Sequence, residues 1–421
     1  MKMKNKYLLI ISAVVLIAVM LQACGTDSDP VDLNIEAMTA GGIDLNSAQS
    51  PDGVPVDATI EITFNSNVNA ATATSGNISL IQDYNNQDIP LQITASGQTI
   101  TIAPEGDLGS GALYQLSLGA GLLNEDDQPL ATTSRSFTTA GTFSPSGIIA
   151  HWTFEDTPDD ITGDWPASAE VDMTYAASRN SDAGLAATFN GNTSIIEIPN
   201  ADQLIETEDF TISFWLKTES EGHVNETGDP TGHFVMGLGA FNGIQFEVFG
   251  GYDGAKFANQ YDFGDGTSGA EDMWFPAEAT DANTGGWQGW DFARSLTRDQ
   301  MIDLLQDNWL HITFTYDSAE RKATLYYDSE MMKSFDFDLW PEGDAKRGVT
   351  GLTYAGQEPD VVNELAFGFV QSRAGTMWDN EPWGGYDFPT AQHFKGQLDD
   401  IKIYHKVLSE TEIQLMYESE N

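Results

Sequence analysis

The 421-residue chain contains a single cysteine, Cys24, and 18 basic residues against 64 acidic ones. One thiol leaves no intrachain disulfide, thiolate zinc cluster or catalytic cysteine pair to build a fold around, so stability must come from the size of the core. The net charge of -46 repels nucleic acid and anionic lipid headgroups, which excludes both as partners. The same charge suits neutral ligands, cationic ligands and divalent ions, and it also keeps an exposed protein solvated. No long helical periodicity precedes residue 295, and the glycine-lysine pattern of P-loop sites does not occur.

The cysteine itself is informative by position. Lys2, Lys4 and Lys6 are followed by an apolar run over residues 7–21 and then by Leu21-Gln22-Ala23-Cys24. A basic start, a hydrophobic stretch too short for a convincing span and small residues before a cut describe a secretory signal. The Leu-x-Ala-Cys ending resembles the lipobox of bacterial lipoproteins. The resemblance implies that residues 1–24 are signal and lipobox and that Cys24 becomes the acylated first residue. Residues 25–30 then form a tether, and the membrane is reached through a lipid anchor only.

Between residues 31 and 140 the chain reads as short strands. Ile60-Glu61-Ile62-Thr63-Phe64, Thr99-Ile100-Thr101-Ile102 and Tyr114-Gln115-Leu116-Ser117-Leu118 alternate apolar with polar residues, and Gly, Asn, Asp and Pro separate them. Leu108, six residues before Tyr114 across a glycine-rich turn, has the spacing of a tyrosine corner, with the ring in the core and the hydroxyl on the turn backbone. Pro51-Asp52-Gly53-Val54-Pro55-Val56-Asp57, Ile62-Thr63-Phe64-Asn65 and Asn124-Glu125-Asp126-Asp127-Gln128-Pro129-Leu130 resemble the Ig-like domains of bacterial surface-layer proteins (SbsA-type). That resemblance implies a β-sandwich over 31–140 acting as a spacer. Residues 141–147 have linker composition.

From residue 148 onward the strands are longer and richer in aromatics, with capping boxes at Thr297–Gln300 and Ser409–Glu412 marking two short helices. Ala150-His151-Trp152-Thr153-Phe154, Asp209-Phe210-Thr211-Ile212-Ser213-Phe214-Trp215, Trp309-Leu310-His311-Ile312 and Phe394-Lys395-Gly396-Gln397-Leu398-Asp399-Asp400-Ile401 stand in the order of the laminin-G-like, concanavalin A-like jelly rolls. The resemblance spans 148–421, with Asp328-Ser329 where many members carry an Asp-Gly turn and with 218–308 longer than the family needs. The predicted fold class is therefore all-β: an Ig-like β-sandwich followed by a large antiparallel jelly roll with short helices. The fold serves lectins, adhesins, carbohydrate-binding modules and glycoside hydrolases, so it does not select among them.

Hydrolysis finds little support in the residues. Retaining glycosidases of this fold carry a Glu-x-Asp-x-x-Glu strand, which puts nucleophile and acid on one face, and that spacing is missing. Glu271, Asp272 and Glu278 read as loop residues, a Gly-x-Ser-x-Gly elbow is lacking, and the six histidines are scattered, with His151 and His311 as framework residues beside Trp152 and Trp309. Parity places Asp399 on the inward face with Ile401 and Ile403, and Asp156 with Trp152 and Phe154. A carboxylate aimed at a core needs a partner or a cation. The resemblance implies a structural Ca²⁺ between first and last strands, held by a carboxylate at Asp399 and by main-chain oxygens; the alternative is that Asp399 bonds only backbone N–H groups.

The remaining signal is tryptophan in apparent loops. Trp165, Trp274, Trp287, Trp290, Trp340, Trp378 and Trp383 fall in Gly/Asp/Asn-rich stretches, most of them in 252–292 and 376–388. Indole faces stack on the C–H faces of sugars, so Trp274, Trp287, Trp290, Trp378, Trp383 and Tyr386 are the expected carbohydrate contacts; burial in miniature loop cores is the competing reading. The expected function is non-catalytic binding of polysaccharide or glycoconjugate at a bacterial outer membrane or cell surface. A glycoside hydrolase or lyase, and an adhesin or protein-binding part of a surface complex, are the alternatives.

Overall fold

The computed structural model describes residues 31–47, 49–276 and 287–421, and the chain divides after Ala140 into two compact units. The expected lipidation site, Cys24, lies outside the described residues, as does Glu278. In the first unit a five-stranded sheet runs in the order Ile43–Asp44, Ile35–Ala40, Ile60–Phe64, Thr99–Pro104, Leu91–Ser96. A four-stranded sheet, ordered Gln87–Asp88, Ile78–Gln82, Leu113–Leu118, Thr133–Thr138, completes the sandwich. The alternation works as read: Ile60, Ile62 and Phe64 are buried while Glu61 is exposed. The tyrosine corner is present, with Gly109 N–H donating to the buried Tyr114 hydroxyl at 2.9 Å and that hydroxyl donating to Gln82 Oε1 at 2.8 Å.

The second unit is a sandwich of two eight-stranded antiparallel sheets. In the first, Thr174–Ala177, Leu185–Asn190, Lys395–Tyr404, Phe210–Thr218, Trp309–Asp317, Lys322–Tyr327 and Glu330–Asp336 lie side by side, and Ile148–Trp152 also pairs with Lys395–Tyr404. In the second the order is Ala169–Val171, Ile195–Ile198, Leu365–Phe367, His233–Leu238, Ile244–Val248, Ala255–Asp262, Ser268–Phe275, with Gly351–Leu352 against Ala255–Asp262. Aromatic pairs join the two inner faces: Phe257 stacks on Phe314 at 4.7 Å, and Phe214 meets Phe246 edge-on at 5.4 Å. Asp328 and Ser329, both at positive φ, make the two-residue turn that closes Tyr327 onto Glu330.

Both capping boxes form, starting helices Arg298–Leu305 and Glu410–Glu420. The second helix covers the outer face of the first sheet. Trp215 Nε1–H donates to Glu420 Oε2 at 2.7 Å, Tyr417 stacks on Trp215 at 5.8 Å, and buried Lys402 pairs with Glu420. This explains why Phe210–Thr218 is buried on both faces. The 141–147 stretch, read as linker, packs on this sandwich: Phe143 is buried and Ser144 bonds the Tyr404 hydroxyl at 2.7 Å. Trp340, read as a loop tryptophan, belongs to the core at 3% exposure against Phe335 and Phe337, and Trp165, read the same way, is partly buried against that core. The strand Leu365–Phe367 is short, because the chain then leaves the sheet.

Candidate functional site

After Leu365–Phe367 the chain crosses the outer face of the second sheet. The crossing is close: a Cβ on Gly237 would stand 1.9 Å from Val370 O, so only glycine admits it. Beneath it Ile195, Phe234, Ala366, Phe369, Val370 and Ala391 make a second small core, with Met377, Trp378 and Tyr386 packed against it. Trp378 also meets Trp383 at 5.1 Å, and Trp383 leans on Phe234 at 6.1 Å while remaining 38% exposed. The two readings of this insertion thus separate by residue: Trp378 packs, whereas Trp383 and Phe388 present surface.

Beside Phe388 lies a cleft of about 470 Å³ bordered also by Phe369, Gln371, Arg373, Asp379 and Tyr386. Arg373 is clamped on Glu197 through its backbone N–H at 2.7 Å, Nε at 3.1 Å and Nη2 at 2.7 Å, which fixes the guanidinium. Its Nη1 has no hydrogen-bond partner among the described residues. Gln371 Oε1 is buried and likewise unpartnered. The Tyr386 hydroxyl is held by Thr193 O, so its ring is fixed beside Phe369 at 5.6 Å. A fixed donor, an unmet acceptor, the carboxylates of Asp379 and Asp387 and exposed ring edges can bind a hydroxyl-rich ligand.

The other expected aromatics fall elsewhere. Trp287 and Trp290 contact each other edge-on at 4.7 Å, with Trp290 55% exposed, and Gln288 ties their loop to Asp336 through two hydrogen bonds. Trp274, Glu271 and Asp272, read as loop residues, sit on the edge strand Ser268–Phe275. Glu271 faces the interior, where burial raises its carboxyl to about 7 despite the Lys346 ammonium bound to it. Trp274 and Asp272 face outward and belong to a row that sequence reasoning missed. Phe234, Glu247, Lys256 and Trp274 are successive cross-strand partners, and Gln245 and Asp272 flank them one step along. Lys256 Nζ stands 3.5 Å from both Glu247 and Asp272. The alternation Ile244-Gln245-Phe246-Glu247-Val248 was the available signal, but it does not say which strand lies beside which.

Asp399 does not lie on the inward face expected from its parity with Ile401 and Ile403. Ser213 pairs with Lys402 but Trp215 pairs with Asp399, so one extra residue, Asp400 at φ 46°, bulges out between them. The bulge turns Asp399 to the side of Trp215, away from Ile401 and Ile403. There Asp399 accepts from Arg179 Nη1 at 2.6 Å, from its neighbour's N–H at 2.8 Å, and from Ser178. Arg179 Nη2 reaches Asp400 at 2.5 Å. Asp156 lies beyond the end of its strand and is exposed. The donors at Asp399 suit a guanidinium and do not fit the expected Ca²⁺. The histidines are less scattered than the sequence suggests: His223 and His233 stack at 4.1 Å.

Residues 43–139 match the family model of a bacterial Ig-like domain. Among curated proteins no match is found. Solved structures similar to the chain include the receptor-binding domain of botulinum neurotoxin type G, at 13% identity and a TM-score of 0.37 over 65% of this chain and 51% of that one. The binding domain of Paraclostridial mosquitocidal protein 1 is similar at 15% identity and a TM-score of 0.41, over 65% and 52%. A third is botulinum neurotoxin type C, whose cell entry depends on interaction with two ganglioside molecules, at 12% identity and a TM-score of 0.38 over 66% and 52%. The chain spans about half the length of these solved chains. Its organisation is that of a bacterial Ig-like domain followed by a two-sheet, all-β sandwich.

Proposed function

We propose that the second unit binds a carbohydrate without cleaving it, at the cleft between Phe369 and Phe388. The observation that carries this reading is the pairing of a clamped Arg373 with an unpartnered Nη1 and the unpartnered, buried Gln371 Oε1, beside the Tyr386 and Phe388 rings. A pyranose offers both a donor and an acceptor in each hydroxyl and an apolar face for a ring. The Ig-like unit serves as spacer, and Cys24 as the lipid anchor of a surface-exposed protein. The test is a glycan array with the full chain, followed by reducing-end assays on each hit. Retention of a polysaccharide that Arg373→Ala and Phe388→Ala abolish supports the reading; release of reducing ends makes the protein a hydrolase. For the anchor, Cys24→Ser should move the protein from the membrane fraction to the soluble one, and unchanged fractionation removes that assignment.

A further inference from the structure

The row across the second sheet is chemically unbalanced. Glu247 and Asp272 share one ammonium, Lys256, at 3.5 Å from each, well beyond the roughly 2.7–2.9 Å of a direct charge-assisted bond. One negative charge is left over. Gln245 Nε2 donates to Glu247 Oε2 at 2.6 Å, while Gln245 Oε1, fully buried in the same row, has no partner among the described residues. Acceptors therefore outnumber donors, and burial raises the Glu247 carboxyl above its ordinary range, as an underpaired acid in a desolvated strip should be.

The row opens at its Trp274 end, where Asp272 is more exposed than Glu247 or Lys256. Trp274 Nε1–H points at Asp272 Oδ2 at 3.3 Å, and the indole stands 5.3 Å from Phe249 at 52°, so two rings make a corner with a carboxylate at its side. Ring faces attract a cation and the carboxylate accepts its N–H groups. The net charge of -46 draws cations towards such a corner and repels polyanionic chains.

We propose that Asp272, Trp274 and Phe249, backed by Glu247, form a subsite for an ammonium-bearing sugar unit, a hexosamine with a free amino group. The sugar part rests on the carbohydrate reading above; the ammonium part stands on the row alone. The experiment is calorimetry of the full chain with two β-1,4-linked hexamers, one of glucosamine and one of N-acetylglucosamine, at low and high salt. The glucosamine hexamer should bind about tenfold or more tightly than its N-acetylated twin, with the advantage shrinking at high salt as screening grows. Asp272→Asn and Trp274→Ala should each remove that advantage without moving the melting temperature, while Trp274→Phe keeps most of it.

Equal affinity for the two hexamers, or an advantage untouched by Asp272→Asn, overturns the proposal. If the N-acetylated hexamer binds and is lost in Arg373→Ala while the free amine gains nothing, the carbohydrate reading stands and the ammonium subsite falls. Should neither hexamer bind, choline serves as the probe: binding that needs Asp272 and Trp274 keeps the ammonium subsite without the sugar, and no binding sinks it.

Discussion

Arg179 and Asp399 form a buried ion pair at 2.6 Å, on the outer side of the sheet where Trp215 lies opposite Asp399. The same guanidinium lies over the Trp215 ring at 4.6 Å and reaches Asp400, whose carboxyl burial would raise but which Lys402, His151 and Arg179 together hold well below the usual range. A cation is thus built into the chain at the position where a bound one was expected.

Removing that cation should cost more than removing free metal. Arg179→Met leaves the buried Asp399 carboxylate without a cationic partner, and breaking such a pair costs about 3–5 kcal/mol. Excess chelator should leave the melting temperature of the wild type unchanged. A fall in chelator that added Ca²⁺ reverses would restore a metal to the neighbourhood of Asp156 and Asp399.

Acid should destabilise the second unit through its histidines. Burial lowers His311 from 6.5 to about 3 and lowers His223, His233 and His393 as well, the stacked pair also repelling each other's charge. A base whose folded value is depressed contributes stability that is present above the unfolded value of 6.5 and is lost as pH falls from there towards the folded value. Each such histidine adds about 1.4 kcal/mol per pH unit in that window. Denaturant melts between pH 7 and 4.5 should show a steep loss that His311→Gln moderates; a flat profile would mean these rings are charged in the fold.

Two tryptophans separate surface from core. Trp383→Ala should leave the melting temperature nearly unchanged and weaken glycan retention, with roughly 2 kcal/mol lost if it is an interface anchor. Trp340→Ala should do the reverse, costing about 3–5 kcal/mol of stability. Early melting of the Trp383 variant would show that the whole insertion is scaffolding.

In the first unit, Tyr114→Phe removes the hydroxyl that takes the Gly109 N–H and serves Gln82 Oε1. Two buried polar groups lose their partner, and each such loss costs about 1–3 kcal/mol. Chemical denaturation of the full chain should show the transition of this unit moved to lower denaturant while that of the second unit stays; a silent substitution would make the corner ornamental.

What could be read from residues alone was what local physics fixes. Period-2 alternation placed the strands around Ile60, Ile100 and Tyr114, the spacing from Leu108 to Tyr114 placed the corner, and Thr297 with Gln300 and Ser409 with Glu412 placed two helix starts. Tryptophan density pointed to 376–388, where Trp378, Trp383 and Tyr386 do come together.

Only the folded chain could decide the rest. A single bulge at Asp400 reversed the side on which Asp399 lies, because side chains alternate along a strand and one extra residue shifts every later one. The row from Phe234 through Glu247 and Lys256 to Trp274 joins four strands whose order the sequence does not encode in any local pattern. Strand composition states that a face is polar or apolar; which polar residues become neighbours depends on register and strand order, and those are set by the packing of the whole sandwich.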